Sequence, residues 1–270
     1  MTPPRPRRAV LVVMHGLGAL AFAWPFVLRT GGGERPDAPW ILLSLSACLL
    51  ALLALELGRG GLGPKTVALL GVLGAAVVAL RLPGFVAGFS ALFLPVLVGG
   101  NALGPTFGFL LGSVGMLASG LFIGGLGPWL PFQMVAVGWV GAGAGLLPRS
   151  GGPRQRLVWL AVYGAAVGYL YGALMNLWSW PFTTVGSPIG WDPDGSALEN
   201  LRRYAAFYAL TSFAWDTFRA VGNALLVLVL GRPLLAALER VGRRMHLEVG
   251  PAPEVGPPTR AEPPPVRSAP

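Results

Sequence analysis

Residues 82–148 contain no Asp, Glu, Lys or Arg. A soluble domain has roughly a quarter of its residues charged and needs them on its surface. Gly and Pro instead cut this stretch into apolar pieces, each long enough to cross a bilayer or to pack among helices that do. Lipid is therefore the solvent for most of the chain. The whole sequence agrees, with a mean hydropathy of +0.64, 54% hydrophobic residues and 11% charged residues. Lipid tolerates sheets only as closed barrels, and the alternation that barrel strands need is missing. The expected fold is an all-α integral membrane protein.

Eight hydrophobic segments are predicted: 9–28, 40–57, 66–80, 89–103, 106–123, 132–147, 157–178 and 204–230. A helix needs ~20 residues to span the hydrocarbon core, so 66–80, 89–103 and 132–147 are short. They are expected to extend at one end or to pack in the protein interior. Residues 1–60 then form two N-terminal helices, 61–246 a six-helix core, and 247–270 a Pro-rich cytoplasmic tail that cannot bury a core.

The net charge of +9 does not lie along one face, so nucleic-acid binding is a poor reading. The charges instead set orientation. With the N-terminus in the cytoplasm, the inner segments hold 14 Lys or Arg and the outer ones hold 5. Arg219 is left inside the membrane, and the asymmetry places both termini in the cytoplasm of a multi-pass protein. Ala21-Phe22-Ala23 also offers a small-x-small motif, the second reading being a cleaved leader. A long apolar run followed at once by Trp24-Pro25 favours a retained helix. Cys48 is the single cysteine and excludes an internal disulfide framework. No HExxH, GxSxG or Walker A motif occurs, and no cofactor is expected.

The residues that stand out are polar ones in the last segment. Tyr208, Ser212, Asp216, Arg219 and Asn223 share about 80° of arc at ~3.6 residues per turn. Asp216 and Arg219 are i,i+3 neighbours able to pair. On one straight helix, Asp216 lies roughly 18 Å beyond Tyr204, near the midplane. A charge there costs at least ~2.5–3.5 kcal/mol and normally faces a cavity or a partner. The pair is expected to border a chamber open to the outside. Asn176 on the preceding segment needs a partner at similar depth. The candidate ligand-binding residues are Asn176, Ser212, Trp215, Asp216, Arg219 and Asn223. Trp40 and Trp180 are read as interfacial belt residues.

Small residues at four-residue spacing form seams where helix backbones approach. Gly108 and Gly112, and Gly164, Gly168 and Gly172, are read as packing within the bundle. Gly71, Ala75 and Ala79 form a third seam.

From Lys65 onward the order of segments resembles the substrate-binding S components of energy-coupling factor (ECF) vitamin transporters. The resemblance is carried by the seam at Gly71, Ala75 and Ala79, and by Phe93-Leu94-Pro95-Val96-Leu97-Val98-Gly99 as a Phe-x-Pro-x-x-x-Gly helix. Gly104-Pro105-Thr106-Phe107-Gly108-Phe109 continues it, and Gly127-Pro128-Trp129-Leu130-Pro131 stands in the place of a gating outer loop. The two helices before residue 60 depart from the family pattern. The resemblance implies a non-enzymatic subunit that binds a vitamin-like solute outside. It also implies docking through the Gly71 seam on an ECF transmembrane subunit driven by two ABC ATPases. The resemblance is closest to a branch predicted to serve cobalamin, with the loop 181–203 as a lid.

Two other readings compete. One is a membrane enzyme acting on a lipid or polyprenyl substrate through Asp216 and Arg219. Such enzymes usually gather acids or histidines around a metal, and acids are sparse here. The other is a structural membrane protein with a dry bundle around the same pair.

Overall fold

The computed structural model describes residues 5–27, 43–44, 46–47, 50–51, 64–82, 90–123, 125–149, 151–184 and 186–247. These residues form α1 (Arg5–Val27), α2 (Pro64–Arg81), α3 (Phe93–Leu103), α4 (Pro105–Ile123), α5 (Leu130–Leu146), α6 (Pro153–Thr183), α7 (Ala197–Thr211) and α8 (Phe213–Leu247). No strand occurs among the described residues, and four helices are long and apolar enough to cross a membrane. The fold is all-α, as the hydropathy requires. The Pro-rich tail and most of the second segment lie outside the described residues, as do Trp40, Cys48 and Glu56.

α3 organises the bundle. Its 11 residues span roughly 16 Å, too short to cross the hydrocarbon. It is sheathed by protein instead: Phe93 to Asn101 are all buried, against α4, α5 and α8. Phe93 and Pro95 of the Phe-x-Pro motif lie in this core, and Gly99 abuts the Leu111 side chain. Gly104, at φ +104°, turns the chain, and Pro105 starts α4.

Glycines draw α3, α4 and α5 into backbone contact. A methyl group on Gly100 or Gly108 would strike the Gly141 carbonyl, and one on Gly112 the Val137 carbonyl. In lipid, where no hydrophobic force joins helices, such close dispersion contact holds them together. The Gly164, Gly168 and Gly172 stripe of α6 faces α8 in the same way.

Segment 204–230 is not one helix. α7 ends at Thr211, Ser212 adopts φ −126° and ψ −25°, and α8 begins at Phe213. Thr211 Oγ1 bonds the Phe207 carbonyl at 2.7 Å and Ser212 Oγ at 3.1 Å, competing with the helical ladder there. Asp216 therefore sits in the first turn of α8, and its depth cannot be counted along a straight rod from Tyr204. α8 then runs 35 residues, roughly 52 Å, well beyond the ~30 Å of a hydrocarbon core.

The N-terminal helix is part of the bundle. Ala21, Phe22 and Trp24 of α1 are buried against a cluster with Phe132, Val135 and Ala136 of α5. Trp139 Nε1 donates to His15 Nδ1 at 2.9 Å.

Candidate functional site

The polar stripe of α8 meets α6 along an antiparallel seam. Arg219 pairs with Asp216 and donates from Nη1 to the Gly168 carbonyl at 3.2 Å. Tyr208, across the kink, donates its hydroxyl to Asp216 Oδ2 at 2.9 Å. The Arg219 guanidinium lies 5.4 Å from the centre of the Tyr171 ring. Gly172 presses on the Asp216 carboxylate, which is 2% exposed. Asn223 donates to the Gly164 carbonyl at 3.0 Å, while its buried Oδ1 has no partner. Both charges are thus satisfied by protein groups, and together they tie α6, α7 and α8.

Asn176 lies one helical turn from Gly172 on α6. It is half-buried, and no described residue bonds its side chain. Ser212 and Trp215 mark the kink; Ser212 bonds Thr211, and Trp215 is 53% exposed. The structure therefore brings Asp216, Arg219 and Asn223 onto one seam, sets Asn176 at its end, and leaves Ser212 and Trp215 at the surface of the kink. Tyr171 also belongs to the site. Its spacing on an apolar helix gives no signal until α8 is packed on it.

An aromatic cap closes the same end. Trp180 is fully buried and donates to the Ile189 carbonyl at 2.8 Å, so it is a core residue and not an interfacial one. Trp191 donates to the Pro25 carbonyl at 2.9 Å, fastening the α6–α7 connection to α1. Arg203 pairs with Asp192 at 3.2 Å, and Ser196 with Glu199 forms a capping box that starts α7. Trp129 packs edge-on against Trp178, with their centres 6.0 Å apart.

The opposite end holds a second polar node. Asn101, buried in α3, donates to the Ala144 carbonyl at 3.0 Å and accepts from Arg156 Nε at 2.6 Å. Arg156 also pairs with Glu239 of α8. An apolar cavity of about 660 Å³ lies elsewhere, between Leu43, Ser46, Ala47 and Leu50 on one side and Leu126 to Pro131 on the other; its lining suits a hydrocarbon chain better than a polar solute.

The seam at Gly71, Ala75 and Ala79 lies on the exposed side of α2, and a methyl group added at Gly71 would meet none of the described residues within 4 Å. Leu70, Gly74 and Val77 form the buried side.

A bundle of apolar helices enclosing a paired charge defines an all-α integral membrane protein. A family model described as the ECF transporter substrate-specific component matches residues 65–231, more than half of the chain, and the chain belongs to that family. It is accordingly a membrane-embedded transporter subunit that associates with ECF transmembrane and ATPase subunits, and not an enzyme. No curated protein and no solved structure matches the chain significantly. The matched region begins at α2, so α1 lies outside the family pattern although it packs on the core.

Proposed function

We propose that the chain captures a vitamin-like micronutrient from outside the cell and delivers it inward on an ECF transmembrane subunit driven by two ABC ATPases. One observation carries this reading. Residues 173–179 of α6 are all half-buried, between buried Gly172 and buried Trp180. Seven residues make nearly two turns at ~3.6 per turn, so no face of α6 is fully buried there. Asn176 offers its unbonded amide in this stretch, with Asp216, Arg219 and Asn223 behind it. Ser212 and Trp215 belong to the site through the kink that carries α7 over it.

Cobalamin is the particular solute put forward. The aromatic surround of Trp129, Trp178 and Phe182 suits a broad, flat ligand, and the folded 181–203 connection is the lid. The inner end of the bundle is the one with Arg156 and Glu239, and both termini lie in the cytoplasm, in keeping with the Lys and Arg bias. The exposed Gly71, Ala75 and Ala79 face is the surface that meets the transmembrane subunit.

The test is mass spectrometry of the small molecule released on denaturing protein purified from cells. A corrinoid supports the whole proposal. A different micronutrient keeps the carrier and removes cobalamin. Release of lipid alone removes the carrier reading.

A further inference from the structure

We infer that the solute held at the outer end carries a carboxylate or phosphate group, which is seated against Arg81. This rests on the carrier reading and narrows it to a class of solute. Arg81 closes α2, and its side chain turns inward across the bundle. Nη1 donates to Ser119 Oγ of α4 at 2.9 Å, and Nη2 to Gln133 Oε1 of α5 at 3.4 Å. Both acceptors are neutral. Ser119 is fully buried and Arg81 half-buried. A guanidinium carries more N–H donors than these two bonds use.

Among the described residues, no carboxylate lies within ion-pair distance of Arg81. Among the described residues, two other cations that reach into the bundle are matched, Arg156 by Glu239 and Arg219 by Asp216. Arg81 faces the same interior, since its two acceptors lie on α4 and α5.

The neighbouring groups are short of acceptors as well. Gly125 lies beside the guanidinium, and its carbonyl is taken by Trp129 Nε1 at 3.1 Å. Trp129 packs on Trp178, whose indole N–H is buried with no partner. Trp178 and Trp24 both pack on Phe182, and the Trp24 N–H is likewise buried and unpartnered. Indole only donates. Among the described residues, this end of the bundle thus combines a cation that has no acidic partner with two indole donors that have no acceptor, and buried donors without acceptors are costly. A carboxylate- or phosphate-bearing solute supplies both the missing charge and the missing acceptors.

The test uses full-length protein in nonionic detergent. Inorganic phosphate and succinate are titrated at an ionic strength held constant with sodium chloride, and tryptophan emission is followed. At least one probe gives a saturable change in the unaltered protein. Arg81→Gln weakens it at least 10-fold, and Arg81→Lys weakens it less. The titration is repeated in phosphatidylglycerol nanodiscs to separate a solute from a lipid headgroup. A response that survives there assigns the site to a solute; one abolished there assigns it to lipid phosphate and overturns the inference. No saturable response, or an equal response in Arg81→Gln, also overturns it. If the molecule released from purified protein bears no carboxylate or phosphate group, this inference fails while the carrier reading stands.

Discussion

Gly172 of α6 lies directly against the carboxylate of Asp216, with no room between them for a methyl group. The contact explains why a glycine stands there in the middle of a membrane helix. Gly172→Ala must push α8 away or turn the carboxylate out of its bonds to Tyr208 and Arg219. The expected cost is about 1–3 kcal/mol, the range for overpacking a filled interior. Thermal unfolding in detergent measures it. Gly71→Ala is the control, because the added methyl group would meet none of the described residues within 4 Å, and its effect is expected to stay within about 0.5 kcal/mol.

The Asp216–Arg219 pair is expected to behave as a unit. Asp216→Asn leaves a guanidinium without its counter-charge, and Arg219→Met leaves a buried carboxylate. Each single change costs about 3–5 kcal/mol, as breaking a buried pair does. The double variant costs clearly less than the sum of the two. A double-mutant cycle on unfolding free energy reads the coupling directly. Additive costs would show that the two charges stabilise the bundle independently.

Much of this arrangement is legible in the residues. An i,i+3 charge pair in an apolar run can neutralise itself, and it does. Short segments are expected inside the bundle, and α3 is there. The stripes at Gly108 and Gly164 mark packing between helices, and backbones do meet along them. Other features need the third dimension. Asn101, Arg156 and Glu239 belong to three distant segments, and sequence alone reads Arg156 only as an inner-side charge. Arg81 likewise counts as one outer cation until its side chain is seen bonded to Ser119 and Gln133. The kink at Ser212 escapes periodicity because the spacing of Tyr208 and Asp216 reports only a shared face; on a straight helix they would stand about 12 Å apart, and across the kink they bond. Trp180 has the composition of a belt residue, yet the folded 181–203 connection supplies the carbonyl that lets it be buried.

The cap that starts α7 is expected to respond to acid. The Glu199 carboxyl is held below its usual range, first by the Ser196 hydroxyl and then by the Ser196 backbone N–H. A depressed carboxylate contributes stability that is present above its unfolded pKa of roughly 4.3 and is lost as pH falls through the lower folded value. Pepsin digestion from about pH 5 down to about pH 2, normalised on an unfolded substrate, is expected to show rising cleavage near exposed Leu198 and Leu201. Glu199→Ala should be cleaved at the same enhanced rate throughout. An unaltered protein whose cleavage does not change with pH would show that the cap does not hold the helix start.

The outward face of α2 carries the last prediction. Gly71, Ala75 and Ala79 are exposed along one side of a helix whose opposite side, Leu70, Gly74 and Val77, is buried. Small residues gain little by facing lipid, but they let a partner helix come close. Ala75→Leu adds bulk where the bundle has nothing to displace, so the isolated protein should keep its stability within about 0.5 kcal/mol. It should keep its released small molecule as well. Co-purification with the ECF transmembrane subunit should fall at least several-fold. A drop in assembly with unchanged stability places the partner on this face. Undiminished assembly assigns the partner to another surface, and a matching loss of stability would make the seam part of the bundle's own packing.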